Sequence, residues 1–157
     1  MKLTIEDLPR HLSKGLQPLY VIHGAAMLLA IEAADAIRAA ARNDGYSERE
    51  ILIADTGFKW AELRESAQSL SLFSSRKVLD LRIPTGKPGV EGAQALQDYC
   101  QQLNADTVTL VSLPRLDGTT MKLSFEQGPR RGRKATWCCV AEDFDAGDVK
   151  YGIDAGE

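Results

Sequence analysis

The chain lacks a surplus of positive charge, a long uninterrupted apolar run and any regular cysteine spacing, and each gap closes off a class of function. Lysine and arginine number 19 against 22 aspartates and glutamates, a net charge of -3. Holding nucleic acid by general electrostatics needs clustered lysine and arginine, so that class is set aside. The longest apolar stretch, residues 24–34, is interrupted by Glu32 and is too short to cross a bilayer. Acidic residues fall early, at Glu6 and Asp7, where a signal peptide keeps an apolar segment. The expectation is a cytoplasmic protein with no membrane association. Of three cysteines, Cys138 and Cys139 are adjacent and Cys100 stands alone, which suits neither a disulfide framework nor a zinc site.

What is present reads as one α/β domain. A chain of 157 residues with 44% hydrophobic content can bury a substantial core. Thr4 to Leu8 reads as a short amphipathic helix, with Thr4 as N-cap and Asp7 in the capping-box position. Leu19 to His23 follows Pro18 and reads as a buried strand ending at Gly24. An alanine-rich helix is expected from Met27 to Arg42, with Leu29, Ala33, Ile37 and Ala40 as its apolar stripe, and Asn43-Asp44-Gly45 stops it. The unit then repeats: strand 51–54, helix 59–70, strand 78–83, helix 90–103 and strand 107–111. Strands alternating with helices of this length imply crossovers in a mainly parallel sheet with helices on both faces. Residues 1–142 are taken as the domain. Residues 143–157, with Gly147, Gly152, Gly156 and little apolar content, are expected to be a loosely ordered tail.

The chemistry of a nucleotide enzyme is missing where it should sit. A strand, a glycine and a helix mark the place of a phosphate-binding loop. Here that place holds Gly24, Ala25 and Ala26, then Met27, with no lysine for phosphates and no hydroxyl for magnesium. Gly86-Lys87 is followed by Pro88 rather than a serine or threonine. Strand 78–83 ends in Arg82-Ile83-Pro84 instead of an acidic pair, and Asp80 is expected to face solvent. His23 at a strand end has no nucleophile or orienting carboxylate near it in sequence, and His11 lies on an expected surface helix. Arg130, Arg131, Arg133 and Lys134 form a short basic run that could contact DNA, though such a run is usually a solvated loop. No catalytic residues, cofactor or metal ligands are expected.

The most informative segment is Gln68-Ser69-Leu70-Ser71-Leu72-Phe73. Trp60, Leu63, Ala67 and Leu70 share a helical face, and Leu72 and Phe73 then arrive together where that face has ended. Such a pair is either a plug in the domain's own core or an anchor for another protein.

The order of these pieces resembles the N-terminal domain of the delta subunit of bacterial DNA polymerase III, the clamp-loader subunit that opens the sliding clamp. The likeness runs from about Leu16 to Asp117. It is carried by Leu19-Tyr20-Val21-Ile22-His23-Gly24, by Gln68 to Phe73 followed by Ser74-Ser75-Arg76, and by Val78 to Pro84 with the Thr-Gly-Lys-Pro-Gly loop after it. The resemblance implies a degenerate AAA+, P-loop-like domain without ATPase residues, non-catalytic itself though part of a DNA-directed DNA polymerase, a nucleotidyltransferase holoenzyme. It implies that Leu72 and Phe73 form a wedge that binds the beta sliding clamp, with Leu70, Ser71 and Gln68 flanking it. Other clamp-loader subunits, and DNA through the complex, are the remaining partners implied.

Two features depart from the family pattern. Family members continue into lid and collar domains that this sequence does not contain. Beyond Thr120, Gly128-Pro129-Arg130-Arg131-Gly132-Arg133 breaks the helix expected there, and Lys134 to Val140 resumes a strand-like run. Codons for Ala-Leu-Ala-Glu-Ala-Gly read one nucleotide out of phase give this hexapeptide, so a local frame shift is one origin for it, testable in the coding DNA. Two other readings stand beside the clamp-binding one. One is a nucleotide-dependent α/β protein with a divergent phosphate loop; the other is a small structural domain whose Leu72 and Phe73 are internal.

Overall fold

The computed structural model describes residues 2–24, 27–68, 76–103, 105–114 and 136–139. Among them, six strands form one parallel sheet: β1 (Lys2–Thr4), β2 (Leu19–His23), β3 (Glu48–Ile53), β4 (Lys77–Arg82), β5 (Thr107–Leu113) and β6 (Thr136–Cys139), in the spatial order β1-β6-β2-β5-β4-β3. Four helices connect or flank them: α1 (Leu8–Ser13), α2 (Met27–Asn43), α3 (Ala61–Gln68) and α4 (Gly89–Gln101).

Strand residues alternate between faces, and the two faces carry separate cores. Leu19 and Val21 of β2, Leu79 and Leu81 of β4, and Val111 and Leu113 of β5 pack against Leu63 of α3 and Leu96 and Cys100 of α4. On the other face, Tyr20 and Ile22 of β2 and Val108 and Leu110 of β5 meet Leu8 of α1 and Ala33, Ala34 and Ile37 of α2. The expected α/β class, with a parallel sheet between two helical layers, is the architecture observed. Burial pushes the Cys100 thiol up to about 12, which makes it an inert core residue.

Several boundaries differ from the sequence reading. Thr4 does not cap a helix; it ends β1, and α1 begins at Leu8 because Pro9 belongs in a first helical turn. The expected Thr4–Asp7 pairing exists all the same, inside a turn. The Thr4 hydroxyl donates to Asp7 Oδ2 at 2.8 Å, and the Asp7 amide donates back to Thr4 Oγ1 at 3.3 Å. The Thr4 hydroxyl is the main cause holding the Asp7 carboxyl below its usual range.

The buried stripe of α2 is Ala33, Ala34, Ile37 and Ala41, while Leu29 and Ala40 are only half-buried. Gly45 ends that helix with φ of +92°, a conformation that suits glycine, as the Asn43-Asp44-Gly45 stop anticipates. Strand β3 starts at Glu48, three residues before the expected Ile51.

The largest correction concerns Asp80. It is fully buried rather than solvent-facing, because β4 lies between β3 and β5 and arginines close over it. Oδ2 of Asp80 accepts from Arg38 of α2 at 2.9 Å and from Arg49 of β3 at 3.0 Å, and Arg82 lies at 3.6 Å.

Candidate functional site

Helix α3 runs back from the carboxyl end of β3 toward the amino end of β4, and the segment singled out in the sequence begins where α3 stops. Gln68 is the last residue of α3 and is exposed. Leu70, Ser71, Leu72 and Phe73 lie outside the described residues, so the site is built here from its two roots.

On the helix side, α3 is seated by Leu63, which is buried, and by Ala67 and Trp60, which are partly buried against the same core. This is the face anticipated from the three-to-four spacing. Trp60 makes an edge-on contact with Phe58, ring centroids 5.1 Å apart, and its indole lies over Gly92 of α4.

A polar network fastens the last turn. The Ser66 hydroxyl donates to Glu50 Oε1 at 2.8 Å, and the Lys77 ammonium reaches Glu50 Oε2 at 3.1 Å and the Ser66 carbonyl. Burial alone raises the Glu50 pKa, but the Ser66 hydroxyl and the Lys77 charge outweigh it and hold this carboxyl below its ordinary value. Lys77 thereby ties the first residue of β4 to the end of α3 across the segment between them. A lysine so nearly buried has to be paired in this way to be tolerated.

The second root is Arg76. Its guanidinium donates to the Asp44 carbonyl at 3.0 Å and lies 5.3 Å from the centre of the Tyr46 ring. The Tyr46 hydroxyl in turn donates to the Ala105 carbonyl at 2.6 Å. The residues before and after 69–75 are thus held to Glu50 of β3 and to the two loops around Asp44–Tyr46 and Ala105–Asp106. Sequence reading named Gln68 and noticed Arg76 but missed Glu50, Ser66, Lys77 and Tyr46. The available signal was Lys77, a lysine opening a strand whose first five residues are all buried.

The phosphate-loop position can be described up to Gly24. Its φ is +141° and its amide donates to the Pro114 carbonyl at 3.1 Å. In a phosphate loop such amides point to the ligand; here this one is spent on the neighbouring chain. Ala25 and Ala26 lie outside the described residues. Met27 and Leu28, which open α2, are exposed apolar side chains. His23 is half-buried at the end of β2. His11 is not a simple surface residue: its Nε2 lies 2.9 Å from the Tyr20 hydroxyl and its ring stands edge-on to that ring.

A cleft of about 570 Å³ opens at the carboxyl ends of β3 and β4, between Asp55–Trp60 and Thr85–Glu91. It contains Lys87, but its charged groups are otherwise Asp55 and Glu91. Among the described residues no cluster of histidine, cysteine and carboxylate side chains could hold a metal. Nor is any described helix long and apolar enough to cross a membrane. Arg130, Arg131, Arg133 and Lys134 lie outside the described residues.

Against this geometry the comparisons with known proteins are decisive. Residues 20–126 match the family model described as DNA polymerase III, delta subunit. The chain belongs to the DNA polymerase III delta-subunit family. It is 32% identical over 111 residues to DNA polymerase III subunit delta of Haemophilus influenzae, and 30% identical over 111 residues to that of Escherichia coli. Each match covers 71% of this chain and 32% of the relative, so the chain spans about a third of the length of these relatives.

Among solved structures, the Bacillus subtilis DNA clamp loader delta protein (YqeN) superposes with a TM-score of 0.63 at 16% identity. That match covers 92% of this chain and 44% of that one. Rif2, solved in complex with the C-terminal domain of Rap1, superposes with a TM-score of 0.56 at 11% identity, covering 98% of this chain and 61% of that one. At such identities the two structures speak for the fold, that of the clamp-loader delta protein.

Proposed function

We propose that this chain is the clamp-binding module of a clamp-loader delta subunit, that it binds the beta sliding clamp through Leu72 and Phe73, and that binding favours the open ring. Leu70, Ser71 and Gln68 flank the wedge. The observation that carries this reading is the membership of residues 20–126 in the delta-subunit family together with the Gln68–Phe73 peptide inside them. The anchoring of both roots supports it. A short anchor loses less conformational freedom on binding when the chain on either side is already fixed.

The energetics suit a small wedge. A phenylalanine can bury on the order of 150–250 Å², and a central anchor contributes roughly 2 kcal/mol or more. No chemistry is needed in this module. A ligand that binds the open ring better than the closed one shifts the equilibrium by that difference in affinity. The module is therefore non-catalytic within the polymerase holoenzyme, works in the cytoplasm beside the other clamp-loader subunits, and meets DNA through the assembly. Residues 1–142 form the working domain and 143–157 a tail.

The direct test is binding of the chain to its own organism's sliding clamp, wild type beside the Leu72→Ala/Phe73→Ala variant, with melting curves of both. Micromolar or tighter binding that disappears in a variant melting normally is the expected result. A variant that melts far below wild type would instead make the pair core residues. Titration with ATP and magnesium separates the nucleotide-dependent alternative. No saturable binding is expected, because the Gly24 amide is already bonded to Pro114.

A further inference from the structure

Parallel sheets are ordinarily covered by helices on both faces, and this sheet departs from that rule at one corner. On the face carrying Tyr20, Ile22, Val108 and Leu110, α1 and α2 cover β2 and β5, and no residue of β3 or β4 joins that core. The same face of the β3–β4 pair presents Arg49, Ile51 and Ile53 beside Val78, Asp80 and Arg82, in the register Arg49 to Val78, Ile51 to Asp80 and Ile53 to Arg82. Ile51 is 46% and Ile53 52% exposed, and the side chains of Arg49 and Arg82 are 43% and 45% exposed. On β4 this face is closed, with Val78 and Asp80 buried, so the exposed strip runs along the edge strand β3 with Arg82 beside it.

Its charge states what kind of helix fits. Arg38, Arg49 and Arg82 gather round Asp80, and Asp35 also pairs with Arg38. Three guanidinium groups thus share two carboxylates, leaving positive charge in excess. Arg49 and Arg82 each direct one nitrogen to the same oxygen, Oδ2 of Asp80, at 3.0 and 3.6 Å. A guanidinium has five N–H donors, so most of their donors are not used by Asp80. Oδ1 of Asp80 is buried without a partner among the described residues. A buried ion cluster left this incomplete is poor evidence of a device for stability alone.

We propose that the exposed strip of β3, with Arg82 beside it, docks an amphipathic helix of a partner protein, with apolar side chains over Ile51 and Ile53 and carboxylates on Arg49 and Arg82. Both guanidinium groups reach one carboxylate oxygen, so they lie close together. Two acidic residues at i and i+4, about 6 Å apart on a helix, span both. The strip uses no residue of the Gln68–Phe73 segment, and the inference does not depend on clamp binding.

The probe is a labelled, stapled 18-residue helix with a leucine stripe flanked by glutamates at i and i+4, titrated against the full chain by fluorescence anisotropy. Saturable binding is expected, at least tenfold weaker for the same helix with glutamines. In the Arg49→Gln/Arg82→Gln chain the two probes should bind alike. Binding of neither probe to the wild-type chain, or equal binding of both, overturns the proposal; this comparison changes only the peptide, so it survives any folding defect in the variant. A photoreactive residue replacing Ile53 should crosslink in cells to an acidic amphipathic helix of another protein. Crosslinks only to a second copy, or only to residues 143–157 of the same chain, overturn it as well.

Discussion

The two ends of the sheet have been put to opposite uses. At the carboxyl end of β2, where a nucleotide would be held, the Gly24 amide is bonded to the Pro114 carbonyl and α2 opens with exposed Met27 and Leu28. At the amino end of β4, polar side chains are concentrated on fastening chain to chain: Lys77 to Glu50 and Ser66, Arg76 to Asp44 and Tyr46. The fold is indifferent to this exchange, since both ends are capped by the same helices and rest on the same cores. What differs is where backbone and charge are left free for another molecule. The difference between the two ends thus lies in their loops rather than in the shared sheet.

The strongest way to break this comparison is to remove the proposed wedge while keeping its roots. Leu72→Ala and Phe73→Ala should each weaken clamp binding by about 30-fold, the equivalent of about 2 kcal/mol. The double variant should lose nearly all binding, measured by surface plasmon resonance, with a melting temperature within about 2 °C of wild type, as for exposed residues. The same variant would unfold several kcal/mol more easily if the pair were internal.

Lys77→Met tests the roots themselves. It leaves Glu50 and the Ser66 carbonyl without their ammonium partner, and a destabilisation of about 2–3 kcal/mol is expected in urea unfolding. Adding Glu50→Leu should recover part of that loss, because removing both partners is less costly than removing one. Recovery of stability without full recovery of clamp affinity would show that the network also positions the wedge.

Much of the fold was legible because β2, α2, β4 and β5 are strongly patterned. Leu19–His23 and Thr107–Leu113 are apolar runs suited to interior parallel strands, and an alanine-rich stretch ended by Gly45 reads as a helix without ambiguity. What escaped were features that depend on contacts distant in sequence. Lys2–Thr4 is too short to announce itself as a strand and exists by pairing with β6. Asp80 looked solvent-facing because a lone acid in a strand usually is. Its three arginines come from residues 38, 49 and 82 and meet only when α2, β3 and β4 are assembled. The Gln68–Phe73 peptide stands out by its composition, but the linkage of Lys77, Glu50 and Ser66 does not, since no local pattern joins a strand's first lysine to a helix's last turn.

At the carboxyl end, a steric test sharpens the contrast. Gly92 lies in the first turns of α4 directly beneath the Trp60 indole. A Cβ there would sit 2.5 Å from Trp60 Cζ2 and 2.6 Å from Pro88 Cβ. Gly92→Ala gains some helix propensity but has to displace both neighbours. A net loss of about 1–2 kcal/mol is expected, as for overpacking elsewhere. The start of α3 shifts with Trp60, whereas its end is held by Ser66 and Glu50. Clamp binding should therefore change less than stability does, and a larger effect on binding would mean that the two ends of α3 move as one piece.

The smallest effect expected is a pH dependence centred on His11. Burial is the main cause lowering its pKa from the ordinary 6.5, with the charges of Lys14 and the N-terminus acting in the same direction. The Gln17 amide donates to the Tyr20 hydroxyl at 2.9 Å, which leaves that hydroxyl to donate its own proton to a neutral His11 Nε2. A histidine whose folded pKa is depressed contributes its full stability above pH 6.5, where both states are neutral. Below that value the unfolded chain takes up the proton first, and the contribution is lost until the folded pKa is also passed. Unfolding curves of the wild type and His11→Gln should therefore differ most above pH 6.5 and converge on acidification. Such convergence would place the pH sensitivity beside β2, whereas a constant difference would mean that His11 acts by packing on Tyr20 alone.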